Sequence, residues 1–279
     1  MKIRYFYLIV LVLLAGCAAE SENSGKLNVI VSILPQKAFV EAVGGEHVNV
    51  KVLIPPGGSP ATYDLKPSDL VAVEGASIYF RIGYIPFELS NAQKIANLNP
   101  SLKIIDTSVN VSLRHSSDSI DPHIWLSPIQ VKHQVDTISS SLCDADPENC
   151  EDYLESSQEF KHKLDELHAE LNTEFSHLKT KKLMVFHPAW GYFADEFGLQ
   201  QIAIEEDGKE PTAMQLQHLI DKARSENIKV IFVQSQFNQN IANSVAEQLG
   251  AIVISIDPLA EDYLNNLRSV ASSIASHLK

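Results

Sequence analysis

The chain has 279 residues, 45% of them hydrophobic and 20% charged, which is enough for one large or two ordinary domains and too apolar for a disordered chain. Lys and Arg number 22 against 35 Asp and Glu, a formal charge of -13, and that balance disfavours binding to the phosphate backbone of a nucleic acid.

Lys2 and Arg4 open the chain, Tyr5 to Leu14 is an unbroken apolar run, and Leu14-Ala15-Gly16-Cys17 sets small residues ahead of a cysteine. This is the pattern of a signal peptide over residues 1-16, and the run is shorter than the roughly 20 residues a spanning helix needs. The Leu-Ala-Gly-Cys tetrad resembles a bacterial-type lipobox, which implies that Cys17 becomes the mature N-terminus and carries a lipid anchor. Loss of residues 1-16 removes the two positive charges of Lys2 and Arg4 and takes the net charge from -13 to -15. Residues 17-26, rich in Ser, Glu, Asn and Gly, read as a tether that holds a folded body off a membrane surface.

From Lys26 onward, short β-branched runs alternate with amphipathic stretches. Asn28 to Leu34, Val48 to Ile54, Ala76 to Ile82 and Leu102 to Ile105 predict buried strands, with helices after Pro35, after Pro67 and from Phe87 to Leu98. This makes residues 27-150 an N-terminal α/β lobe. Apart from the expected anchor Cys17, Cys143 and Cys150 are the only cysteines, and an isolated pair in an exported chain predicts a disulfide.

Asp152 to Leu178 carries Leu154, Phe160, Leu164, Leu167, Leu171, Phe175 and Leu178, mostly at three- and four-residue steps, so residues 151-180 are expected to form one long linking helix. His162, His168 and His177 lie on it at spacings that put no two on a common ligand face, and they read as solvated. Residues 181-279 repeat the βα rhythm as a C-terminal lobe. Its strands are Leu183 to Phe186, Lys229 to Gln234 and Ala251 to Ile256, and its helices Ala189 to Phe197, Thr212 to Glu226, Gln239 to Leu249 and Glu261 to His277.

Ligands of open α/β sheets sit beyond the carboxyl ends of the strands, and three loops there carry chemistry. Asp121-Pro122-His123-Ile124-Trp125-Leu126 ends the polar loop after the fourth strand, His187-Pro188-Ala189-Trp190-Gly191-Tyr192 follows Phe186, and Asp257-Pro258-Leu259 follows Ile256. His123, His187 and Asp257 are therefore candidate ligands of one divalent metal, since imidazole and carboxylate are zinc ligands and proline-held loops lose little entropy on binding.

These motifs, with the proline-glycine loop at residues 55-60 and Phe232-Val233-Gln234-Ser235-Gln236-Phe237, resemble those of the zinc/manganese solute-binding lipoproteins of ABC importers over nearly the whole chain. The resemblance implies two α/β lobes with parallel-type sheets joined by one long helix, and a metal site in the cleft between them. It puts His123 and His187 on ligand positions and Asp257 on the carboxylate position of the second lobe. It also implies a monomer with no catalytic cofactor, no nucleic acid, a membrane reached through the lipid anchor, and an ABC permease as partner. The position of His187 is histidine in zinc-type relatives and glutamate in manganese-type ones, so the expected cargo is Zn(II).

One position departs from the pattern. The family's first histidine ligand follows the residue matching Pro60, and this chain has Ala61 there. Water, Glu205, Tyr63 or His115 are the candidates for the fourth ligand, or the pocket takes something other than zinc; the alternative is a related receptor whose metal site is altered or lost and which binds Mn, Fe or a metal chelate. Three ligands and an open position also describe catalytic zinc, with Glu205 or Glu206 as a base. Against an enzyme, the chain has no His-Glu-x-x-His, Gly-x-Ser-x-Gly or phosphate-loop motif.

Overall fold

The computed structural model describes residues 25-116, 119-205, 211-234, 236 and 239-278. The expected signal segment, the Cys17 anchor and most of the tether lie outside them, as do Glu206, Ser235 and Phe237. No helix among the described residues is long and apolar enough to cross a membrane.

The N-terminal lobe runs β1 (Leu27–Val31), α1 (Leu34–Gly44), β2 (Val48–Val52), α2 (Pro67–Glu74), β3 (Ile78–Arg81), α3 (Pro86–Leu98) and β4 (Lys103–Asp106). A two-stranded hairpin, β5 (His115–Ser116) and β6 (Ser119–Ile120), then leads to α4 (Pro128–Ala145) and α5 (Cys150–Phe175). The C-terminal lobe continues with β7 (Lys182–Val185), α6 (Gly191–Glu196), β8 (Gln200–Ala203), α7 (Ala213–Ser225), β9 (Val230–Val233), α8 (Gln239–Leu249), β10 (Ile252–Ser255) and α9 (Tyr263–His277). Each lobe has a four-stranded parallel sheet, ordered β2-β1-β3-β4 and β10-β9-β7-β8. Taken from the other edge, the second order is β8-β7-β9-β10, so both lobes share one winding, with its switch point beside the first strand.

Three elements escaped the sequence reading. Strand β8, with only Ile202 fully buried among its four residues, lies at a sheet edge and lacks the apolar run that marks a central strand. The hairpin is two residues to a side. Helix α4 has a clear start, since Ser127 accepts the Gln130 N–H at 3.1 Å and Pro128 follows in the first turn. The first predicted strand proved too long by three residues, because Pro35 fits the first turn of α1.

Helix α5 spans 26 residues, about 39 Å, and links the lobes. Its buried stripe is Tyr153, Ser157, Phe160, Leu164, Leu167, Leu171 and Phe175. Leu154, placed in that stripe by sequence, is 49% exposed, and Tyr153 fills the site instead. The expectation of a solvated His168 is also corrected: it is half-buried, its ring 5.5 Å from that of Phe197, whereas His162 and His177 are exposed. Burial of Phe160, Leu164, Leu167, Leu171 and Phe175 contributes on the order of 10 kcal/mol gross.

Alternation along β7 explains how the lobes join. Leu183 and Val185 belong to a core shared with α1, α4, α5 and α9, while Met184 and Phe186 face a separate core under α7 and α8. The inner core therefore runs without a break from one sheet, across α5, to the other.

Cys143 and Cys150 form a disulfide that ties the end of α4 to the first residue of α5. Closing so short a loop is worth about 2.5 kcal/mol on a chain-entropy basis, small beside the burial on α5. Replacing both cysteines with alanine is expected to lower the unfolding free energy by about 2 kcal/mol in urea titrations and to leave the circular dichroism spectrum unchanged.

Glu196 lies at the junction of the lobes, its side chain 6% exposed. Burial pushes its carboxyl from 4.5 up to about 7, against hydrogen bonds from the Ser127 hydroxyl and the Ile129 N–H. Between those values the folded state holds a proton that the unfolded chain releases, so the contribution of Glu196 to stability falls as pH rises through the window. Glu196→Gln is expected to stabilise the fold by about 2 kcal/mol near pH 8 and by little near pH 5, read from thermal unfolding at both.

Candidate metal centre

His187 stands two residues beyond β7, and Glu205 two residues beyond the neighbouring β8. The pairing of Val185 with Ala203 brings the two side chains level, and the Glu205 N–H continues the ladder by donating to the Phe186 carbonyl at 2.9 Å. His187 Nδ1 then lies 2.6 Å from Glu205 Oε2. The Gln234 amide donates to the His187 carbonyl at 3.3 Å and fixes the loop from below.

His123 reaches the same crevice from the N-terminal lobe. The Asp121 carboxylate accepts the His123 backbone N–H at 3.0 Å and lies 2.7 Å from Nδ1, a turn in which an Asp caps the residue two ahead. The buried Ile124, Trp125 and Leu126 anchor the residues that follow. Asp121 also accepts from Arg114 Nη1 at 3.3 Å, and Arg114 Nε donates to Asp195 of the other lobe at 2.8 Å. This crossing runs over Gly191, where a Cβ would stand 2.6 Å from Asp121 Oδ2 and 2.5 Å from Arg114 Nη1, so any larger residue there would push the Arg114–Asp121 pair aside.

The two imidazoles end up side by side, ring centroids 5.2 Å apart and planes at 72°. A carboxylate only accepts, so each Nδ1 carries the proton and each lone pair lies on Nε2. Burial lowers the pKa of His123, and the Asp121 bond restores only part of that loss. Burial pushes Asp121 the other way, but His123 and Arg114 outweigh it and hold the carboxyl below its ordinary range. At neutral pH the pair is thus a neutral imidazole on a carboxylate, the state in which histidine binds metal.

Asp257, two residues past β10, makes the same kind of turn as Asp121: its Oδ1 accepts the Leu259 N–H at 2.8 Å, and the Gln236 amide at 3.2 Å. Pro258 and Leu259, not Asp257, border the crevice. Trp125 Nε1 donates to the Pro258 carbonyl at 2.7 Å and ties the two turns together. Among the described residues, no group of three or more His, Cys, Asp or Glu side chains is arranged to hold a metal ion. The structure brings His123 and His187 together and leaves Asp257 on its own loop.

The candidates for a further ligand separate clearly. Ala61 borders the crevice with its methyl group. Tyr63 donates to Asp69 at 2.8 Å, and His115 is exposed in the hairpin, opposite Ile120. Glu205 stands behind His187 as its orienting group. Sequence reasoning missed Asp121, Arg114 and Gly191 as parts of the site; two of the three lay within the quoted motifs, but nothing in their spacing reveals that they meet.

The profile of the family described as zinc-uptake complex component A, periplasmic, matches residues 29–277. The chain is 26% identical over 263 residues to the high-affinity zinc uptake system protein ZnuA of Bacillus subtilis (strain 168), covering 86% of this chain and 82% of that protein. It is 23% identical over 256 residues to the manganese-binding lipoprotein MntA of Halalkalibacterium halodurans, covering 88% and 85%. A crystal structure of ZnuA superposes with a TM-score of 0.88 at 38% identity, covering 91% of this chain and all of that one. Family profile, lobe architecture and crevice agree: the chain belongs to the zinc-uptake component A family, the metal-type solute-binding proteins of ABC importers, and is not an enzyme.

Proposed function

We propose that the protein captures Zn(II) outside the cytoplasmic membrane and delivers it to the permease of an ABC importer, with Cys17 as its lipid anchor. The observation that carries this reading is the pair of imidazoles, each backed on Nδ1 by its own carboxylate. A carboxylate there fixes the ring, raises the basicity of Nε2 and is the usual support for a metal-binding histidine. Two nitrogen donors favour zinc over manganese, which prefers oxygen, and a zinc uptake protein is among the relatives.

In this reading His123 and His187 supply two ligands and Asp257 a third, its carboxylate exchanging the Gln236 amide for the ion. Release follows the same path in reverse, by small shifts of the three loops, because the core shared by both lobes opposes a wide hinge.

Equilibrium dialysis of the demetallated protein tests the proposal. One zinc per chain is expected, with affinity down at least about 100-fold in His123→Ala and in His187→Ala, and about 10- to 100-fold in Glu205→Gln. Unchanged affinity in both histidine variants contradicts it. Protons compete for Nε2, and burial holds His123 below the ordinary imidazole value of 6.5. Affinity should therefore hold nearly constant from about pH 8 to 7 and fall by about tenfold per unit once pH drops below the His123 value, which zinc titration across that range checks.

A further inference from the structure

The crevice is much larger than an ion needs. Its volume is about 550 Å³, whereas a water molecule takes about 30 Å³ of liquid, so zinc with two waters fills only about an eighth of it. Sites for small organic molecules begin at about 300 Å³ and are lined by apolar groups with a few polar ones, and this crevice has that lining. Pro60, Ala61, Ile85, Pro86, Leu89 and Ile120 form much of its wall, with Ser59 and Tyr84 bringing hydroxyls.

Donors are short by the same measure. Zinc in a protein takes four ligands, sometimes five, and the crevice offers the two imidazoles, with Asp257 of the neighbouring turn as the proposed third. The methyl of Ala61 stands on the wall and supplies nothing. Gln236, also on the crevice, has a buried side-chain oxygen with no hydrogen-bond partner among the described residues, an acceptor suited to an amine N–H.

From the missing donor, the apolar volume and the unmatched acceptor, and resting on the zinc reading above, we infer that the cargo is a zinc chelate. The co-ligand is a small N,O-chelator of the α-amino-acid class, carried in with the metal. Its nitrogen and carboxylate oxygen complete the coordination sphere on the Ala61 side, its amine reaches the Gln236 oxygen, and its side chain fills the space walled by Pro60, Ile85 and Leu89. Both donors are lone pairs given to the metal, so no bond within the chelator breaks.

The test is dialysis of the whole demetallated protein at fixed free zinc, with radiolabelled histidine or leucine as the co-ligand. One of the two is expected to be retained at one per chain only when zinc is present, and to raise zinc affinity at least about tenfold. Ala61→His, which adds the missing donor on the same wall, should bind zinc alone more tightly and lose retention of the co-ligand. Tight zinc binding with neither co-ligand retained overturns the inference and leaves the zinc reading standing. No zinc bound with or without co-ligand overturns the zinc reading itself. The wild-type retention measurement decides even where Ala61→His fails to fold.

Discussion

The site depends on one buried carboxylate. Asp121, 4% exposed, holds the backbone and the ring of His123, receives Arg114, and through Arg114 is linked to Asp195 on the other lobe. Tyr192 adds a second link, its hydroxyl donating to the Asp121 carbonyl at 3.0 Å and accepting the Arg114 N–H at 2.7 Å. A carboxylate in so little water is stable only while all these donors stay in place. The same bonds that aim one imidazole thus set the distance between the lobes, and with it the separation of His123 from His187.

That coupling constrains how a solute can enter and leave. The lobes share a core, α5 packs across both, and Trp125 is bonded to Pro258 over the crevice. Opening by several ångströms would expose apolar side chains at about 25 cal/mol per Å² and strand the buried Trp125 N–H. Loop-scale movement avoids both costs. The Asp257-Pro258 turn is better suited to it than the Asp121 turn, since Asp257 caps its own loop from within and small shifts leave that internal bond intact.

Much of this was legible in the sequence. The βα alternation, the α5 stripe, the disulfide and the three loops beyond the strand ends follow from period, spacing and residue type, and each is visible over a short window. What stayed hidden involves groups far apart in the chain. Arg114 and Asp195 are 81 residues apart, and Gly191 matters only because they cross it. Glu205 looked like a possible ligand because a carboxylate in the right lobe is chemically suitable; only the register of β7 with β8 assigns it to the back of His187. Edge strand β8 and the short hairpin owe their form to pairing partners and not to their own residues.

Zinc-edge anomalous diffraction from crystals grown with zinc tests the central claim most directly, because it locates the ion independently of any assumed ligand. One peak about 2.0–2.1 Å from Nε2 of both His123 and His187 is the result expected. A peak bound to only one of these imidazoles, or elsewhere on the protein, would contradict it.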